Sequence, residues 1–241
     1  MCLLEATAGH PKGRSLAELA AEAGLAKPTA HRLLTALTGL GYLERPASGV
    51  YRQSTAAKRL VSDAPTRRLI EAAGPAVQAL HAQTQETVNL GILRHDRVLY
   101  LEVLESTQPL RRVATRSSDP FHSTALGRVM VAWLPDARLA RLLTRVRLAK
   151  RTPATITDAA KLRSAIALAR RQGYAIEVDE TDVGVTCIAA PIVSGDEAAG
   201  AISVSVPSAR AAGAARHKLV KCVREAAAKA SRRLRAKSIP G

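Results

Sequence analysis

Residues 15 to 41 constrain this chain more than any other stretch. Ser15 and Glu18 stand in S-x-x-E spacing, a capping box in which each side chain can satisfy the other's backbone N–H. Leu16, Leu19, Ala20 and Ala23 recur at helical spacing, and Gly24 supplies a left-handed stop. A second helix is predicted from near Lys27, with Pro28 in its first turn, where a missing N–H costs nothing. Ala30, Leu33, Leu34, Leu37 and Leu40 are expected to form its buried stripe, and Gly41 to end it. Leu25 plugs the space between the two helices, so both must share one small core.

The segments YLERP and VYRQ flank Ala47, Ser48 and Gly49, turn chemistry that predicts a β-hairpin. With Leu3–Ala8 as a first helix, the order is that of a winged helix-turn-helix over residues 1–53. In such a module the second helix of the pair enters the DNA major groove and its N-terminal residues meet base edges. Lys27, Pro28, Thr29, His31, Arg32 and Thr35 are the residues expected there, with Arg45 and Arg52 on the wing. The positive end of the helix also favours phosphate. The alternative is a surface helical hairpin with a solvated polar face.

The charge balance agrees with an anionic partner without locating it. The formal net charge is +16 over 241 residues, which favours nucleic acid over a membrane surface. Residues 210–241 alone carry ten Lys and Arg against one Glu. That basic segment keeps a sequence-independent nucleic-acid binder open as an alternative function. Three cysteines at long spacing, Cys2, Cys187 and Cys222, support neither a disulfide framework nor a zinc site. A reduced, cytoplasmic setting fits, and no cofactor is called for. The start lacks a signal-peptide pattern, and the longest near-apolar run, VGVTCIAAPIV, is too short to span a membrane.

Residues 54–64 read as a linker helix carrying Lys58 and Arg59, or equally as a solvated connector. From residue 65 to 241 helices alternate with short strands. RRLIEAAGPAVQALHAQTQ is predicted as a helix that Gly74-Pro75 could kink or split. VNLGILR, RVLYLEVLE and PLRRVA are predicted strands, then STALGRVMVAWL and DAAKLRSAIALARRQG helices, and YAIEVD, VGVTCIAAPIV and AGAISVSVP strands before a basic final helix. The expected class is α+β on an antiparallel sheet.

SLAELAAEAGLAKPTAHRLLTALTGLGYLERPASGVYRQ resembles the DNA-binding domain of IclR-type transcriptional regulators. FHSTALGRVMVAWLP, RRQGYAIEVDETDVGVTCIAAPI and AISVSVP, in that order, resemble the family's GAF-like effector-binding domain. In the family an arm and several residues precede the point where Met1 stands, a departure here. The resemblance implies a homodimer or tetramer that binds a DNA operator with an affinity changed by a small carboxylic acid. It also implies that Ala125, Leu126, Glu177, Cys187, Ser203 and Ser205 line the effector site.

The residues add some support of their own. Ala125 and Leu126 follow His122-Ser123-Thr124 at a helix start, where early N–H groups lack internal acceptors. Ser203 and Ser205 alternate with apolar neighbours and share one strand face, and Cys187 is expected on the face of Val183, Val185 and Ala189. Asp179 and Glu180 read as a rim or a solvated acidic turn. Read without the resemblance, Cys187 is as well explained as a small core residue, and His122 as a capping or packing histidine. An enzyme with Cys187 as nucleophile and His122 as base is the remaining alternative, and it lacks an orienting third group.

Overall fold

The computed structural model describes residues 2–7, 10, 13–46, 49–54, 57, 64–108 and 118–236. Its contacts fall into two compact units that part between Arg67 and Arg68.

In the first unit three helices surround one core: α1 (Cys2–Thr7), α2 (Leu16–Ala23) and α3 (Lys27–Gly39). The expected capping box is present, with Ser15 N–H and Oγ–H donating to Glu18 and the Glu18 N–H returning to Ser15 Oγ. Gly24 takes the left-handed conformation at φ 64° and turns the chain into α3. Strands β1 (Leu43–Glu44) and β2 (Arg52–Gln53) pair antiparallel. An unexpected third segment joins the wing where Arg14 and Tyr51 exchange backbone hydrogen bonds at 2.9 and 2.7 Å. Leu3, Leu4, Leu19, Ala30, Leu34, Leu43 and Tyr51 fill the core.

The stripe expected on α3 is narrower than its leucines suggest. Ala30 and Leu34 are fully buried, but Leu33 is 42 % exposed and Leu40 68 % exposed. Leu33 lies about 100° around the helix from Leu34, beyond the arc that a unit of this size can cover. The hairpin tip at Ala47 and Ser48, and Lys58 and Arg59 of the linker, lie outside the described residues.

The second unit is a six-stranded sheet with helices on both faces. Helix α4 (Ala64–Thr84) runs unbroken through Gly74-Pro75. Then come β3 (Thr87–Arg94), β4 (Arg97–Leu104), β5 (Ser118–Pro120), α5 (Ala125–Val131), α6 (Asp136–Arg145), α7 (Ala159–Gln172), β6 (Ala175–Val178), β7 (Val185–Ser194), β8 (Glu197–Pro207) and α8 (Gly213–Ala236). The strand order is β5-β4-β3-β8-β7-β6. Both α6 and β5 went unpredicted, while PLRRVA lies outside the described residues.

Strand alternation sorts the side chains. Val88, Leu90, Ile188, Ile202 and Val204 pack against α4 and α8. The intervening residues, among them Ala189 and Ala201, face α5 and α7 with Phe121 and Leu162. Among the described residues the first face is closed by apolar packing, and polar side chains gather on the second.

Candidate functional site

Helix α3 presents two chemically distinct sides. Its buried stripe anchors the unit, and Lys27, Pro28, Thr29, His31, Arg32 and Thr35 are all exposed. Arg32 lies nearly opposite the stripe, with Pro28 and Thr35 beside it. Ala26 makes no side-chain cap, so the first-turn amides remain available to an outside acceptor. On the wing, Arg52 is ion-paired with Glu44 at 2.8 Å. The Arg45 guanidinium sits 5.1 Å above the Tyr51 ring. A phosphate would therefore compete with existing contacts at both wing arginines.

The second unit holds a cavity between the sheet and the start of α5. Its free volume is about 10 Å³, the room one water needs. Asn89, Tyr100, Cys187, Ser203 and Ser205 line the strand side. Register places them together: Ser203 pairs with Asn89 and Ala189, and Ser205 with Thr87 and Cys187. Asn89 Nδ2–H donates to Ser203 Oγ at 3.1 Å and to Ser205 Oγ at 3.2 Å. Cys187 Sγ and Ser205 Oγ are 3.1 Å apart.

Thr124, Ala125 and Leu126 form the helix side. Thr124 caps α5 by accepting the Gly127 N–H at 3.0 Å, and the Ala125 and Leu126 amides precede that bond in the opening turn. At Gly127 a Cβ would stand 2.3 Å from Cα and O of Phe121, so only glycine lets the chain cross there. Thr181 closes the cavity from the loop after β6, donating to Ser123 O at 2.6 Å. That loop is tied down further. Thr155 Oγ1 donates to Glu180 O at 2.7 Å, and the Glu180 carboxylate pairs with buried Arg128.

Both domains find their counterparts among known proteins. Residues 1–47 match the IclR helix-turn-helix domain, and residues 64–232 match the bacterial transcriptional regulator IclR C-terminal domain. The chain belongs to the IclR family. IclR-family relatives include the HTH-type transcriptional regulator BhcR of Paracoccus denitrificans, 36 % identical over 82 % of this chain and 72 % of that protein. The glycerol operon regulatory protein of Streptomyces griseus is 33 % identical over 96 % of this chain and 93 % of its own. Among solved structures, an IclR homologue of Microbacterium hydrocarbonoxydans complexed with 4-hydroxybenzoate superposes with a TM-score of 0.75 at 27 % identity, covering 97 % of this chain and 96 % of that one. The protein is accordingly a DNA-binding transcriptional regulator with an effector-binding domain.

Of the six effector-site residues that IclR resemblance implied, five line the cavity and Glu177 does not. Glu177 lies one strand further out, paired in register with Cys187 and only 1 % exposed. Its Oε2 accepts the Glu180 N–H at 3.0 Å. Burial pushes its carboxyl up to about 7, against partial lowering by the Cys187 thiol and the Glu180 N–H. Val183 is also misplaced by the sequence reading. It precedes β7, is 72 % exposed, and does not share the face of Cys187.

The cavity lining also includes Asn89, Tyr100 and Thr181, which the sequence reading did not single out, and Thr124, which it named only as preceding the helix start. His122 is buried, with Nε2 against Ala149 O at 3.1 Å, and burial lowers its pKa. It therefore packs as a neutral ring while Cys187 engages Ser205, an arrangement unlike a nucleophile–base pair. Neither rim nor solvated turn describes the acidic loop in full: Glu180 is buried, and Asp179 Oδ1 accepts from Ser208 and Gly184. Among the described residues there is no metal-binding cluster and no helix long and apolar enough to cross a membrane.

Proposed function

We propose that this regulator binds a near-palindromic operator as a homodimer, and that a small carboxylic acid in the cavity changes its operator affinity. Lys27, Pro28, Thr29, His31, Arg32 and Thr35 meet base edges, and Arg45 and Arg52 meet phosphates beside them. Half-sites then lie about one helical turn apart or a multiple of it. The observation that carries the DNA half of this reading is the outward polar side of α3 opposite its buried stripe.

In the cavity, the hydroxyls of Ser203 and Ser205 and the amides of Ala125 and Leu126 are the donors for the acid, with Cys187 beside them. Glu177 tunes the site from one strand away. A carboxylic acid is the ligand of the solved relative complexed with 4-hydroxybenzoate, which supports that class here. A space of about 10 Å³ cannot hold such a molecule, so binding requires the lining to part. A ligand that fits only the widened cavity shifts the population toward that state. This preference links occupancy to operator affinity.

A gel-shift titration on the DNA upstream of the protein's own gene, with and without a panel of small carboxylic acids, tests the proposal. Sequence-specific binding displaced or tightened by one of the acids is expected. Binding indifferent to sequence and steeply weakened by salt would instead favour the exposed basic side of α8 as the main contact.

A further inference from the structure

We propose that the effector carries a hydrogen-bond donor, most simply a hydroxyl, beside its carboxylate, and that Asn89 is the residue that reads it. The proposal rests on the cavity being the effector site, and it names the chemical class that this site selects.

Most polar groups lining the cavity have a partner. Tyr100 donates its hydroxyl proton to Asp119 Oδ2 at 2.9 Å. Thr181 spends its proton on Ser123 O. Thr124 accepts from Gly127 N–H while its hydroxyl faces the carbonyls of Pro120 and Phe121 at 3.4 Å. Ser203 and Ser205 accept from Asn89 Nδ2–H, so each hydroxyl can still donate, Ser203 to a ligand and Ser205 to a ligand or to Cys187 Sγ 3.1 Å away. Those protons suit the lone pairs of a carboxylate.

Asn89 Oδ1 is the exception. The residue is 1 % exposed and lines the cavity, yet this oxygen has no hydrogen-bond partner. Buried amide oxygens are nearly always paired, because leaving one unpaired forfeits its solvation. In the orientation the amide takes here its nitrogen faces the serine hydroxyls, which leaves the oxygen as the acceptor on offer. An ionised carboxylate is acceptor-only and cannot satisfy it. A keto group cannot either. A hydroxyl can, and it would lie close to the carboxylate because Asn89 touches both serines.

Matched acids decide the matter. Binding to the full-length protein would be measured calorimetrically for lactate, pyruvate and propionate, and for 2-hydroxybenzoate and benzoate. In at least one set the hydroxy acid is expected to bind tenfold or more tighter than its partners. Asn89→Ala and Asn89→Ser should shrink that ratio to under threefold, whatever they do to the affinity for the partner lacking the hydroxyl. Thermal melts would confirm that each variant is folded, and the serine variant covers the case in which alanine fails to fold.

If in neither set the hydroxy acid binds tenfold tighter to the wild type, or if the ratio survives in both Asn89 variants, the proposal is overturned and the effector site is left standing; a water would then cap Asn89 Oδ1. If the acids bind but Ser203→Ala leaves every affinity unchanged, the ligand sits elsewhere, and the reading of the cavity fails along with the proposal. Absence of binding by every acid overturns both.

Discussion

The Arg128 guanidinium and the Glu180 carboxylate form a buried ion pair that joins helix α5 to the loop closing the cavity. Arg128 also donates to His122 O at 3.0 and 3.1 Å, so the pair anchors both walls of the site. Removing one partner strands the other's charge in a dry environment. Arg128→Met is expected to cost about 3–5 kcal/mol of stability. Urea denaturation reads this directly, and Arg128→Met with Glu180→Met should recover much of the loss.

Arg32 lies nearly opposite the buried stripe of α3 and makes the sharpest test of base reading. Arg32→Ala should weaken specific operator binding by about 1–3 kcal/mol and relax the preference at one base pair. His31→Ala should do the same if the imidazole reaches a base edge. Fluorescence anisotropy on the operator and on single-base variants measures both, and unchanged affinity in the two variants would remove α3 from the groove.

Across the wing, Glu44 competes with DNA for Arg52. Glu44→Gln should raise affinity for any duplex and steepen the salt dependence, since the arginine is released to phosphate. Arg52→Ala should lower affinity evenly across sequences and reduce the salt slope by about one. A salt titration on specific and random duplexes separates these effects from base reading.

Glu177 gives stability a pH dependence of unusual sign. Its carboxyl sits at about 7 in the folded protein against an ordinary 4.5, chiefly because it is buried. The folded chain thus holds the proton more tightly than the unfolded chain. Stability from this group is greatest below about 4.5 and falls as pH rises through 7. Glu177→Gln should therefore be more stable than wild type at pH 8, by on the order of 3 kcal/mol. The advantage should vanish in acid, as melting curves of both proteins between pH 4 and 8 would reveal.

The two leucine classes of α3 should part company on substitution. Leu34→Ala opens a fully buried position and is expected to cost about 2–5 kcal/mol. Leu40→Ala removes a side chain that is 68 % exposed and should stay within about 0.5 kcal/mol of wild type. Chemical denaturation of the two variants compares them directly.

Sequence patterns read some of these features well and others poorly, for physical reasons. The cap at Ser15, the stop at Gly24 and the outward position of Arg32 follow from local rules that need no partner. Leu33 and Leu40 were misread because residue type signals apolarity, whereas depth depends on what stands opposite. Helix α6 escaped notice because Leu139, Leu142 and Leu143 are mixed with three arginines and none of its residues is fully buried. Asn89 draws its meaning from Ser203, which is 114 residues away along the chain. Its neighbours in sequence contain no hint of that. Glu177 entered only through the family resemblance, and the structure places it beside Cys187 one strand out, off the cavity lining.

The crossing at Gly127 has a bearing on how such a sensor can change over time. The Phe121 backbone occupies the place where any side chain at 127 would begin, so the first turn of α5 packs directly on the turn before it. Residues around the cavity are thereby free to vary in size and polarity while the scaffold presenting them stays in position. New ligands can be acquired by exchanging side chains alone, and a methyl group at that single position would spoil the response to all of them at once.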